Sequence, residues 1–192
     1  VSASGTRSIA IGRHASTNSR TGAFVLNTST DNLIASANYQ YSARFPGGYR
    51  LFTTANNTTG CSLAAGAGQW QCTSDRAAKT AFAPADGDSL LGKLRTLPIG
   101  TWEYKTERGT RHLGPVAQDF RAAFGLGTDA KSIAVLDASG VALAAAKALE
   151  ARTRALQAEN AALARRNDAL AERLAQVEGA LATVAAQLEQ RR

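Results

Sequence analysis

Cys72-Thr73-Ser74-Asp75-Arg76-Ala77-Ala78-Lys79 marks the change of character in this 192-residue chain. Before it the sequence is rich in Gly, Ser, Thr and Asn and reads as a β-fibre. After it the chain grows steadily more helical and ends in a heptad repeat. That succession predicts a mixed α+β chain in three parts. They are a β-rich fibre or β-roll stalk over 1–73, a small α+β domain over 74–140, and a coiled coil over 141–192. Within the quoted stretch a serine and a lysine lie five residues apart. A hydroxyl is a weak nucleophile until a neighbour takes its proton, and a partly desolvated lysine can do so. Ser74 and Lys79 are therefore candidates for nucleophile and base, set against the plain alternative of a turn serine and a solvated lysine.

In the first thirty residues, Ser8-Ile9-Ala10-Ile11-Gly12-Arg13-His14-Ala15 and Gly22-Ala23-Phe24-Val25-Leu26 are short runs bounded by glycine and small polar residues. Such runs predict short strands. The first resembles the head repeats of trimeric autotransporter adhesins, whose units stack into a β-roll, with one clear and one degraded copy here. His14 reads as a surface-turn residue. Residues 43–52 and 61–63 predict further strands, and Trp70-Gln71-Cys72 a last one leading to Ser74. A region this short and polar buries little core by itself, and three chains wrapped together would remedy that.

Cys61 and Cys72 are the two cysteines, and Gly66-Ala67-Gly68 between them suggests a hairpin turn that would bring them opposite each other. A disulfide and a pair of buried thiols both fit. A metal site does not, since two cysteines with no nearby histidine supply too few ligands. No cofactor motif is present.

Between 74 and 140, Asp88 is a candidate cap for a helix bearing Leu90, Leu91, Leu94 and Leu97, stopped by Pro98. Residues 99–104 predict a strand with Trp102 as its anchor, and 107–110 a polar turn. A helix from about Pro115 to Gly125 buries Val116, Ala117, Phe120 and Phe124. Residues 132–136 predict a final strand.

From Val141 onward, Leu149, Leu156, Leu163, Leu170, Val177 and Val184 recur every seven residues, interleaved with Ala146, Thr153, Asn160, Asn167, Leu174, Leu181 and Leu188. These are the d and a positions of a coiled coil. Asn160 and Asn167 fix its register. The repeat alone is compatible with two strands or three.

The formal net charge is +7, but it is dispersed: five Arg against Asp31 in 1–73, nine basic against eight acidic in 74–140, eight against six in 141–192. Nucleic-acid binders concentrate charge on one face, and no basic block precedes the first heptad. Nucleic acid is excluded as a partner, while an anionic cell-surface glycan is compatible. No apolar run is long enough to cross a membrane. With no methionine, the sequence reads as a piece of a longer protein.

Ser74-Asp75-Arg76-x-x-Lys79 resembles the opening of the self-cleaving intramolecular chaperone domain of phage endosialidases, tail spikes and bacterial tail-fibre-like proteins. The resemblance continues through Leu90-Leu91-Gly92-Lys93-Leu94, Pro98-Ile99-Gly100-Thr101-Trp102-Glu103-Tyr104-Lys105 and His112-Leu113-Gly114-Pro115-Val116-Ala117-Gln118-Asp119-Phe120. It closes with Val135-Leu136-Asp137-Ala138-Ser139-Gly140-Val141-Ala142-Leu143 and the coil, covering about 74–192. It implies a parallel homotrimer that guides folding of an upstream fibre domain of the same chain. It also implies a serine-lysine autopeptidase, with Ser74 and Lys79 catalytic and Thr73–Ser74 the bond cut. Asp75 and Arg76 would be structural. His112 and Gln118 are candidate supporting groups, His112 to polarise a carbonyl and Gln118 as an oxyanion donor. The implied location is extracellular, on a phage tail or bacterial surface. The family often continues Lys-Glu-Asn after the lysine, and this chain has Thr80-Ala81 instead. The competing expectation is a non-cleaving structural trimerisation tip of an adhesin or tail fibre.

Overall fold

The computed structural model describes residues 1–189. It divides into two compact units, Val1–Phe82 and Ala83–Arg192.

The first unit begins as a stack of parallel rungs. In chain order its strands are β1 (Ile9–Gly12), β2 (Ala15–Ser16), β3 (Phe24–Asn27), β4 (Leu33–Ile34) and β5 (Tyr41–Arg44). Ile9, Phe24 and Tyr41 stand in one column across β1, β3 and β5, and Ala15 pairs Leu33 across β2 and β4, all parallel. Small residues fill the interior because successive rungs lie one strand spacing apart: Ala15, Ala23, Val25 and Ala35 form the core, with Ala10 and Leu33 against it. Two polar residues are buried with them, and both are satisfied. Thr17 Oγ1 accepts from the Ser4 amide at 3.0 Å, and Asn27 Nδ2 donates to the carbonyls of Arg13 and Asp31 at 2.7 and 2.8 Å. The third rung escapes a sequence reading, since Tyr41-Ser42-Ala43-Arg44 has no apolar run.

An antiparallel sheet follows, made of β6 (Gly48–Phe52), β7 (Gly60–Ala64) and β8 (Gln71–Cys72) in that order. Residues 43–52, expected as one broken strand, are therefore split between a parallel rung and this sheet, with the turn at Phe45–Gly48 between them. The Tyr49 hydroxyl donates to the Ala43 carbonyl, and Tyr49 packs beside Phe45 and Trp70. Cys61 and Cys72 are register partners on β7 and β8 and are joined as a disulfide.

The second unit holds α1 (Gly87–Thr96), β9 (Gly100–Trp102), β10 (His112–Gly114), α2 (Ala117–Phe124) and α3 (Val135–Glu189). The cap of α1 is Asp86, which accepts from the Ser89 amide at 3.1 Å. Asp88, the expected cap, lies inside the first turn, where its charge suits the helix dipole. Leu90, Leu91, Leu94 and Leu97 are half-buried on one side. Gly125 closes α2 in the left-handed conformation, φ 67°, and Phe120 is buried whereas Val116, expected beside it, is exposed.

The strand expected over 132–136 is absent. Asp129 ties up this segment, accepting from the amides of Lys131 and Ser132 and from the Ser132 hydroxyl. The helix then starts at once, with the Ala134 carbonyl accepting from Asp137 and Ala138. Val141 and Ala145 bury the near end of α3. Beyond them every heptad leucine and valine from Leu149 to Leu188 is exposed in the single chain. Among the described residues no helix is long and apolar enough to cross a membrane.

Candidate functional site

Ser74 follows β8 by two residues, and the backbone then makes one 3-10 turn, Arg76–Ala78. Asp75 starts that turn: its side chain accepts from the Ala77 amide at 2.9 Å. The Ala78 amide donates to the Asp75 carbonyl, and the Lys79 amide to the Arg76 carbonyl. A single tight turn brings residue 79 back over residue 74. Lys79 Nζ donates to Ser74 Oγ at 2.7 Å. The five-residue spacing thus has a local cause, a capped turn between two extended flanks. The Arg76 guanidinium lies 4.6 Å from the centre of the Phe82 ring, fastening the exit of the turn.

Ser74 and Lys79 are both exposed in the single chain. Base catalysis needs the hydroxyl to donate to a neutral amine, and removing water favours the neutral form. The pair therefore has the distance for proton transfer and lacks the cover.

On the other side of the Thr73–Ser74 bond the chain is anchored. Thr73 donates its amide to the Gly60 carbonyl at 2.9 Å. Its hydroxyl also reaches Gly60, donating to that carbonyl at 3.1 Å and accepting from the Gly60 amide at 3.2 Å. Gly60 has no room for a side chain, because a Cβ would stand 2.2 Å from the Leu51 carbonyl oxygen and 2.7 Å from the Phe52 ring. Nothing in the sequence singles out Gly60 beyond its place next to Cys61; its pairing depends on a register visible only in the fold. An open groove of about 290 Å³ along this sheet is lined by Arg50, Phe52, Gly60, Cys61 and Thr73 among others.

Past the lysine, Ala81 sits at φ 53°. That left-handed region suits Gly or Asn far better than alanine. The position is the one at which the resembled motif has asparagine.

His112 and Gln118 belong to the second unit, Ser74 and Lys79 to the first. His112 pairs with Trp102 across β9 and β10, stacks on its ring at 4.7 Å and meets Tyr104 edge-on. Its Nε2 is 3.6 Å from a Glu107 carboxylate oxygen, beyond hydrogen-bond reach. Gln118 is exposed on α2 and lines an open groove with Trp102, Tyr104 and Lys131. Among the described residues no cluster of three or more His, Cys, Asp or Glu could hold a metal ion.

No curated protein and no solved structure matches the chain. A family model does: residues 74–125 match the family described as chaperone of endosialidase, in a segment that opens at Ser74 itself and supports a chaperone-like role.

Proposed function

We propose that the chain is a trimerising intramolecular chaperone that guides folding of an upstream β-fibre and then cuts itself at Thr73–Ser74. The observation that carries the reading is the 2.7 Å contact between Lys79 Nζ and Ser74 Oγ, beside a backbone anchored at Thr73. Ser74 Oγ attacks the Thr73 carbonyl carbon while Lys79 Nζ takes the hydroxyl proton. The C–N bond then breaks as that proton passes to the Ser74 nitrogen. Water hydrolyses the resulting ester, leaving a Thr73 carboxylate and regenerating the Ser74 hydroxyl with a free amino group.

Assembly supplies what the single chain lacks. The rungs of the first unit pair within one chain, whereas an interwound upstream fibre yields stability only after several chains are in register. A coiled coil along α3 raises the local concentration and sets the alignment. Its half-exposed seam residues are the apolar surface that association would bury. The same association is the source of cover for Lys79. The setting is extracellular, on a phage tail or bacterial surface, with a glycan met through the upstream part.

A denaturing gel of the expressed chain tests this directly. Fragments 1–73 and 74–192 are expected, with Ser74 as the new N-terminus, and raising the pH should speed their appearance. Ser74→Ala and Lys79→Ala should each leave the chain whole. Lys79→Arg should do the same, since a guanidinium stays protonated. Cutting elsewhere, or cutting that survives Ser74→Ala, would sink the mechanism and leave a permanent structural trimerisation tip as the function.

A further inference from the structure

We infer that the Thr73 side chain is a positioning and specificity-determining group for the cut, releasing its own carbonyl from the sheet so that Ser74 can attack it. The inference rests on the self-cleavage proposed above. In an antiparallel ladder, directly opposed residues of a hydrogen-bonded pair exchange two bonds, each amide donating to the other's carbonyl. The register Ser62–Gln71, Cys61–Cys72 makes Gly60 and Thr73 the next such pair. One of the two bonds is present, from the Thr73 amide to the Gly60 carbonyl at 2.9 Å. The reciprocal one is replaced: the Gly60 amide donates to Thr73 Oγ1 at 3.2 Å. The hydroxyl occupies the place in the ladder that belongs to the Thr73 carbonyl oxygen.

The chemical effect follows from what the carbonyl must do. On attack its carbon becomes tetrahedral and the peptide plane turns toward Ser74 Oγ. A carbonyl held in a ladder bond would have to break that bond on the way. With the hydroxyl as substitute, residue 73 stays fastened to Gly60 while its carbonyl is free to move. The Cys61–Cys72 disulfide, one residue back on both strands, keeps the two strands from separating meanwhile. A fixed anchor and a free reacting group are what proximity catalysis requires. The requirement is for a hydroxyl one carbon from the backbone, so only Thr or Ser meets it on the acyl side of the cut.

The test compares Thr73→Val, which keeps the branched shape and loses the hydroxyl, with Thr73→Ser, which keeps the hydroxyl. Each full chain is produced by cell-free synthesis. The cut fraction is followed by denaturing gel, the cut position by mass spectrometry and the assembly state by light scattering. Thr73→Val should cut about fivefold more slowly, the factor lost with one hydrogen bond of ordinary net strength, and Thr73→Ser should restore the rate to within about twofold. In a Ser74→Ala background the Gly60 amide should stay protected from hydrogen exchange in Thr73→Val as in Thr73→Ser, because the vacated ladder place passes to the residue 73 carbonyl; an amide that exchanges freely in Thr73→Val overturns the release of that carbonyl by the hydroxyl. Equal rates for Thr73→Val and the unaltered chain overturn the role of the hydroxyl alone, as does a Thr73→Ser chain as slow as Thr73→Val. An unaltered chain that never cuts at Thr73–Ser74 overturns the self-cleavage reading, and this role with it.

Discussion

Replacing Asp75 tests whether the nucleophile and base are brought together by a capped turn or by chemistry at the carboxylate itself. The turn Arg76–Ala78 contains no buried residue, so packing does little to hold it. Its hydrogen bonds are one side-chain cap, from the Ala77 amide to Asp75 Oδ1, and two backbone bonds. Loss of a capping side chain costs about 1 kcal/mol. If that cost falls on the conformation in which Lys79 reaches Ser74, the population of the contact drops by about fivefold, and the cutting rate with it. Asp75→Ala should therefore slow the cut by about fivefold in a gel time course and leave the cut position unchanged. Asp75→Asn keeps an oxygen that can accept from Ala77 and should run close to the unaltered chain. Complete loss of cutting in Asp75→Ala would refute a role confined to capping. So would an Asp75→Asn chain as slow as Asp75→Ala, which would make the charge the active feature.

Leu163 and Leu170 are 48% and 52% exposed in the single chain, so burying the rest is worth about 1 kcal/mol per side chain. Leu163→Asp with Leu170→Asp forfeits that and gathers like charges in the seam; light scattering at micromolar concentration should report monomer, whereas Arg165→Asp, outside the seam, should not dissociate the assembly. Ala81→Gly removes the strain of a left-handed alanine at φ 53° and should raise stability by about 0.5–1 kcal/mol, net of the added freedom of the unfolded chain; the urea midpoint of the Ser74→Ala chain measures it, and a fall contradicts it. Asp129 is held below its ordinary value of 3.8, first by the Lys131 amide and then by the Ser132 hydroxyl. A lowered folded-state value gives stability that is present above the ordinary value and lost as pH falls through the lowered one. The protection of the Lys131 amide, its exchange relative to an unstructured amide at the same pH, should therefore fall below about pH 4 and stay level between about pH 5 and 8.

The parts read correctly from sequence are those whose signal is local and periodic. Leucine every seventh residue predicts a helix wherever it occurs, and α3 follows it from end to end. The alternation at Ile9-Ala10-Ile11 and the glycine at 125 are similarly self-contained. Competition between neighbours defeats such reading. Asp86 and Asp88 are equally good caps by type, and only the position of the Ser89 amide selects Asp86. Ile133, Val135 and Leu136 have strand-like composition, but the Asp129 turn and the long helix behind them take the backbone first. At the site, the motif points to Ser74 and Lys79, while the turn that joins them depends on a cap. Gly60 and the double use of Thr73 are invisible in sequence, because they arise from a strand register thirteen residues apart.

The disulfide has a consequence for the product of the proposed cut. β8 is two residues long, and cutting at Thr73 would make it the last strand of a chain end. Ends so short ordinarily fray and are the first substrate of exopeptidases. Here the penultimate residue is covalently joined to β7, and the terminal one is hydrogen-bonded to Gly60. The released fibre would thus finish in a closed hem, with a carboxylate that a carboxypeptidase could not draw out while the crosslink stands. A reducing environment would undo this protection, so a fibre released by the proposed cut would be durable only under oxidising conditions.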